Sequence, residues 1–191
     1  MTITNSKGNE TGKNIYAISD VKKTGAITTS TVSSEFFDSK GKSVNKATNN
    51  VKCMNGVMMM DMKMFIPSSQ QEQMASGAAT ANDVYLEYPA DMKAGDNLKD
   101  GEFSMDFKMS SGLASTIAVS ITERKVEGKE SITTTAGTWD CFKISSKNKI
   151  TTKIAGIGIP IKSDVTEWYA PRFGVVKTES KLGKTEITSV K

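Results

Sequence analysis

A chain of 191 residues is long enough to bury a real core within one domain, and its apolar share of 37% lies somewhat below the globular norm. Net charge is only +4, and of 25 basic residues two are Arg, Arg124 and Arg172; the Lys are dispersed among Asp and Glu. That pattern excludes a nucleic-acid stripe and reads as solvated strand faces, and no apolar run approaches the ~20 residues that a membrane-spanning helix needs.

Ser and Thr are abundant throughout, which favours strands with one wet face. The chain opens on strand-like Thr2-Ile3-Thr4 with no basic-then-apolar leader pattern, as a mature form or a cloned fragment would. Turn-like clusters follow at residues 5–12, 38–42, 55–56, 89–101, 110–112, 127–129, 147–149 and 181–184. Between them lie alternating segments, such as Phe103, Met105, Phe107 and Met109 against Ser104, Asp106 and Lys108, or Ile117, Val119 and Ile121 against Ala118, Ser120 and Thr122. The spacing predicts about 10 to 12 antiparallel strands in one sheet system. One short helix is expected near residues 68–81, after Pro67. No linker divides the chain, so residues 1–191 read as one domain.

Residues 51–65, VKCMNGVMMMDMKMF, are the most explicit local signal. Asn55-Gly56 between strand formers predicts a two-residue type I′ hairpin. With Met54 and Val57 flanking the turn, Cys53 lies opposite Met58 and Val51 opposite Met60. Continued alternation would put Met58, Met60, Met62 and Met64 on one face, a lining suited to an irregular core or an apolar cavity.

The residue inventory argues against catalysis. No histidine is present, which removes Ser-His and Cys-His pairs and His-based zinc sites. No glycine pattern forms a phosphate loop, and none of Asp61, Glu87, Asp106, Glu123, Asp140 or Glu167 is paired by spacing. The expectation is a noncatalytic protein with no cofactor and no metal site. Asp91, Asp96 and Asp100 lack the alternation and closing Glu of an EF-hand, so Gly95-Asp96 reads as a solvated turn. The Met-rich strand leaves copper(I) handling as an alternative, because thioethers are soft ligands.

Cys53 and Cys141 each fall mid-strand and fit two readings, free buried thiols or a disulfide. Residues 154–161, IAGIGIPI, are apolar on both faces and nearly uncharged. If buried they form a central strand; if exposed, Ile157, Ile159 and Ile161 mark a partner or membrane-surface contact.

Near the C-terminus, EWYAPRFGVVKTE (167–179) predicts a strand, a Pro/Gly corner at Pro171 and Gly174, and a returning strand, with Trp168 and Phe173 burying large surfaces beside it. Together with GTWDCFKISSK (137–147) and YPADMKAGDNLKDGEF (88–103), this corner resembles a family of exported, largely uncharacterised β proteins of Gram-negative envelopes. The resemblance runs over nearly all of residues 2–190. It implies a strongly curved antiparallel sheet forming a barrel or half-barrel, broadly similar to periplasmic lipoprotein carriers, and a periplasmic or otherwise exported location. An oxidising compartment, and hence pairing of Cys53 with Cys141, is likewise what the resemblance implies. Members also carry a leader and an extra aromatic strand segment that this chain does not show. No activity comes with it.

Three functional readings follow. A binding module would hold an apolar ligand, such as an acyl chain, in an interior lined by Met58, Met60, Met62, Met64, Phe103, Phe107 and Trp168. An envelope interaction module would have a self-filled core and use the 154–161 stretch. An enzyme would need a cleft with converging carboxylates that the sequence does not display.

Overall fold

The alternating segments pair as a run of hairpins. The computed structural model describes residues 1–66, 84–109, 112–154 and 156–191; the helix expected at 68–81 lies outside them. Twelve strands form: β1 (Thr2–Asn5), β2 (Glu10–Thr24), β3 (Ile27–Asp38), β4 (Ser43–Met54), β5 (Val57–Asp61), β6 (Tyr85–Pro89), β7 (Gly101–Lys108), β8 (Ala114–Thr134), β9 (Gly137–Ile154), β10 (Ile157–Ala170), β11 (Gly174–Ser180) and β12 (Gly183–Glu186). They build one all-antiparallel sheet, nearly closed into a barrel, in the order β6-β5-β4-β3-β2-β1-β12-β11-β10-β9-β8-β7.

That order divides the sheet into two six-strand meanders, each contiguous in sequence. They join where β1 pairs β12, from Thr2↔Glu186 to Asn5↔Gly183. The outer edges, β6 and β7, share no ladder among the described residues and face each other across a seam bridged by side chains. Gly101 opens β7 close against the other meander: a Cβ there would come within 2.7 Å of both Leu86 Cδ1 and Met62 Sδ.

The β4–β5 hairpin has the expected register, Cys53↔Met58 and Val51↔Met60. Asn55 and Gly56 take φ values of 50° and 79°, as a type I′ turn requires. Four-Met alternation, however, stops at Asp61. The buried Asp61 carboxylate accepts a hydrogen bond from the Lys63 backbone N–H and caps a 3-10 turn, Met62–Phe65. Met62 and Met64 therefore leave the strand. The Pro171 turn forms as read, with Phe173 N–H donating to Ala170 O at 3.1 Å and positive φ at Arg172 and Gly174; Trp168 is buried beside it, but Phe173, read as buried, is 41% exposed and leans on the Trp139 ring.

The main core lies on the inner face of the sheet. Phe103, Met105, Phe107, Ile117, Val119 and Ile121 come from β7 and β8 in the expected alternation, and pack with Met62, Leu86, Tyr88, Phe142, Ile144 and Tyr169. A second, smaller cluster joins Cys141, Trp168, Ala170 and Val176. Its members alternate with Phe142 and Tyr169 along β9 and β10, so it occupies the opposite face.

Gly183 has the least room to change. Its φ is 146° and a Cβ would sit 2.1 Å from Thr4 O, within the one ladder that joins the meanders. Gly183→Ala is expected to destabilise the protein by about 2 kcal/mol or more, read as a lowered urea midpoint.

Candidate functional site

The inner-face polar site begins with a bulge. On β8 the pairing skips from Thr122↔Lys147 to Lys125↔Ser145, and Glu123 takes a φ of 51°. The extra residue reverses the alternation. Before it Ile117, Val119 and Ile121 face inward; after it Arg124 and Val126 do so, both fully buried.

Arg124 thereby aims a buried guanidinium across the seam. Its Nη1 donates to Glu87 O on β6 at 3.0 Å and to Lys99 O just before β7 at 2.8 Å. One side chain of the second meander thus holds the edge strand of the first. Nη2 lies 3.8 Å from Glu167 Oε1 on β10. The Tyr88 hydroxyl donates to Glu167 Oε2 at 3.2 Å, and the guanidinium carbon sits 4.7 Å from the Tyr88 ring centre. Tyr88 stacks on Tyr169 at 4.7 Å, and the Tyr169 hydroxyl reaches Met58 Sδ at 3.7 Å.

The electrostatics follow from burial. Desolvation pushes the Glu167 carboxyl above its ordinary 4.5, against the opposing pull of Arg124 and the Tyr88 hydrogen bond. It drives the Tyr88 hydroxyl well above 10 and the Tyr169 hydroxyl up to about 12. Phenols so placed donate hydrogen bonds and do not ionise. Among the described residues Arg124 Nε and Nη2 have no hydrogen-bond partner. The arrangement is a cross-seam clasp with one ion pair, and it presents no nucleophile beside a base.

The candidate lining residues separate. Met62, Phe103 and Phe107 fill the main core, and Met58 and Met60 pack against it. Met64 borders an inner cleft of about 30 Å³ with Asn14, Tyr16, Phe36 and Asn49, room for about one water. Trp168 belongs to the second cluster, on the opposite face. Its Nε1 donates to Glu130, and the ammonium groups of Lys143 and Lys177 lie 5.6 and 4.4 Å from the ring centre. An open depression of about 340 Å³ lies on the outer face of β2 and β3, edged by Glu10, Lys13, Ile15 and Phe37.

Cys53 and Cys141 are both free, so the expected disulfide is not formed. The reason is alternation: Cys53 pairs with Met58 beside Tyr169, whereas Cys141 points to the second cluster, away from Phe142 and the main core. Burial and the nearby Asp140 and Glu130 push the Cys141 thiol up to about 11. Among the described residues no three His, Cys, Asp or Glu side chains converge as metal ligands. Asp96 spends its carboxylate on the Lys93 backbone N–H, within the turn read at Gly95-Asp96.

The third candidate surface is in the open. Ile157, Ile159 and Ile161 are 76%, 75% and 46% exposed. β9 and β10 pair along their whole shared length, but β11 meets β10 only from Val165 onward, which leaves the β10 edge over 157–164 without a strand partner on that side among the described residues.

A model of the DUF3108-like family matches residues 1–191. The chain belongs to this family. Two solved structures share the fold of this DUF3108-like protein. One, described as a "putative lipoprotein" from Parabacteroides distasonis, is 22% identical with a TM-score of 0.79. The other, described as a "putative exported protein with YmcC-like fold" from Bacteroides fragilis, is 21% identical with a TM-score of 0.78. Each alignment covers 100% of this chain and 92% of the other. No curated protein matches the sequence. Among the described residues no helix is long and apolar enough to cross a membrane.

Sequence reasoning passed over Arg124, Tyr88 and Tyr169, and treated Glu167 as an unpaired acid. One signal was present: a chain that otherwise uses Lys places one of its two Arg mid-strand, where a planar fork can serve two carbonyls at once. Arg124→Lys cannot span both carbonyls while facing Glu167, and should cost about 3 kcal/mol in urea unfolding. Because the folded state holds the Glu167 proton more tightly than the unfolded chain, its favourable contribution is full below about 4.5 and is lost as pH rises through the raised folded value. The stability of Glu167→Gln relative to the native protein should therefore increase with pH, checked by paired urea titrations at acid and neutral pH.

Proposed function

We propose that this DUF3108-like protein is an exported, noncatalytic envelope protein that works through its surface, as an interaction module built on a self-filled barrel. The carrying observation is the exposure of Ile157, Ile159 and Ile161 on a projecting hairpin. Burial of a single Leu- or Ile-sized side chain is worth about 1.5–3 kcal/mol, so three left in water in a row form the kind of apolar patch that marks a contact. Export is supported by how the two structural neighbours are described.

The interior favours this reading over a carrier. Met62, Phe103 and Phe107 are spent on the core, and the inner cleft at Met64 is far smaller than the ≈ 300 Å³ at which ligand pockets begin. A seam held by a buried ion pair and two carbonyl bonds also suits a closed scaffold better than one that must open and release a lipid.

Ile157→Lys is the test. The side chain is exposed, so the thermal midpoint should stay within about 2 °C of the native protein. Saturable binding to envelope membranes stripped of peripheral proteins should fall at least about tenfold. Unchanged binding would remove the hairpin from the function, and early unfolding would return it to the core.

A further inference from the structure

The hairpin of β9 and β10 is amphipathic in a way that specifies its partner. Its ladder runs without a bulge from Ile157↔Ile154 to Tyr169↔Phe142, so faces can be read outward from the core. Phe142, Ile144 and Tyr169 lie in the main core and Ile150 packs against it. By alternation, Ile154, Ile157, Ile159 and Ile161 continue that face beyond the end of β11. Lys147, Lys149, Lys153 and Lys162 occupy the other face; a Cβ on Gly158 would meet the Lys153 stem at 2.8 Å.

Residues 147–163 contain five Ile, four Lys and no Asp or Glu. Lys147 pairs with Glu123 at 2.7 Å. Lys149, Lys153 and Lys162 are exposed and have no carboxylate within ion-pair distance among the described residues. The overhang of the β10 edge, residues 157–164, is roughly 26 Å at strand rise. Pro160 and Lys162 on that edge discourage addition of another strand, which points to contact through the apolar face at the tip, flanked by the lysines of the other face.

We infer that this hairpin docks on an anionic lipid surface, with Ile157 and Ile159 entering the headgroup–acyl boundary while Lys149, Lys153 and Lys162 extend along their stems to lipid phosphates. This rests on the reading of the hairpin as a contact surface and supplies its partner. Aliphatic side chains on one face of the tip and, on the other, lysines without a carboxylate partner among the described residues match acyl chains and the anionic headgroups above them.

Flotation of the full chain with protein-free vesicles tests it. Vesicles of equal parts phosphatidylcholine and phosphatidylglycerol should carry the protein, and phosphatidylcholine alone should carry about tenfold less. Ile157→Asp/Ile159→Asp should lose binding to both. Lys149→Gln/Lys153→Gln/Lys162→Gln should erase the preference for phosphatidylglycerol. Ile18→Asp/Val21→Asp, altering exposed residues of the β2–β3 hairpin at the opposite end of the sheet, should change nothing. If the double Asp variant unfolds early, Ile157→Thr alone carries the comparison.

No flotation on the mixed vesicles, or flotation that Ile157→Asp/Ile159→Asp leaves intact, overturns the inference. Binding to protein-bearing envelope membranes but not to lipid alone would assign the hairpin to a protein partner, overturning the lipid inference while leaving the contact surface standing. Self-association lost in the Asp variant would assign it to a second copy of the chain and overturn it likewise.

Discussion

The β6–β7 seam has to be held shut without a strand ladder among the described residues, and a single buried guanidinium bridges it above the apolar packing. Arg124 bonds two carbonyls that belong to the facing sides of the gap and keeps its charge near Glu167. An edge strand with unpaired backbone groups is a liability in water and worse when half-buried. Filling one acceptor on each side from a single guanidinium ties the two edges together. The surrounding structure serves this placement. A bulge rotates the Arg inward, Tyr88 lies against the guanidinium, and Tyr169 backs Tyr88. On the outside, Lys99 and Glu87 add an ion pair at 2.8 Å over the same two residues. Being partly exposed, that pair contributes little by comparison.

The sequence was most legible where one local rule acted alone. Asn55-Gly56 fixed a turn, the turn fixed a register, and the observed pairing follows it residue by residue. Alternation on β7 and β8 named six buried side chains correctly. Reading failed where a local event reset the period. Asp61 ends the Met strand by capping a 3-10 turn, which no count of methionines reveals. The extra residue at Glu123 exchanges the faces of β8, so an Arg that periodicity assigns to the outside becomes the most deeply buried cation. The cysteines show a related limit. Mid-strand placement said nothing about which face each thiol would take, and the faces turned out to be opposite.

The two tips of β9 treat their apolar surface differently. The β8–β9 tip is drawn back over the outer face, where Thr135 donates to Thr188 O and Ile132 and Trp139 pack on the second cluster. Among the described residues the β9–β10 tip has no such cover, and Ile157 and Ile159 stay exposed. The two tips of β9 thus have opposite fates, one used for stability and one left for contact.

The strand order also shapes how the molecule can assemble. β1–β6 and β7–β12 each form a meander from neighbouring strands, and their mutual pairing needs Thr2 to find Glu186. Short-range hairpins form quickly, whereas contacts across nearly the full chain wait on the slowest loop closure. The barrel is therefore a dimer of half-sheets written on one chain. Until the last strand is delivered each half carries two naked edges, and the waiting time before that event sets how long the chain is open to pairing with a neighbour instead of with itself.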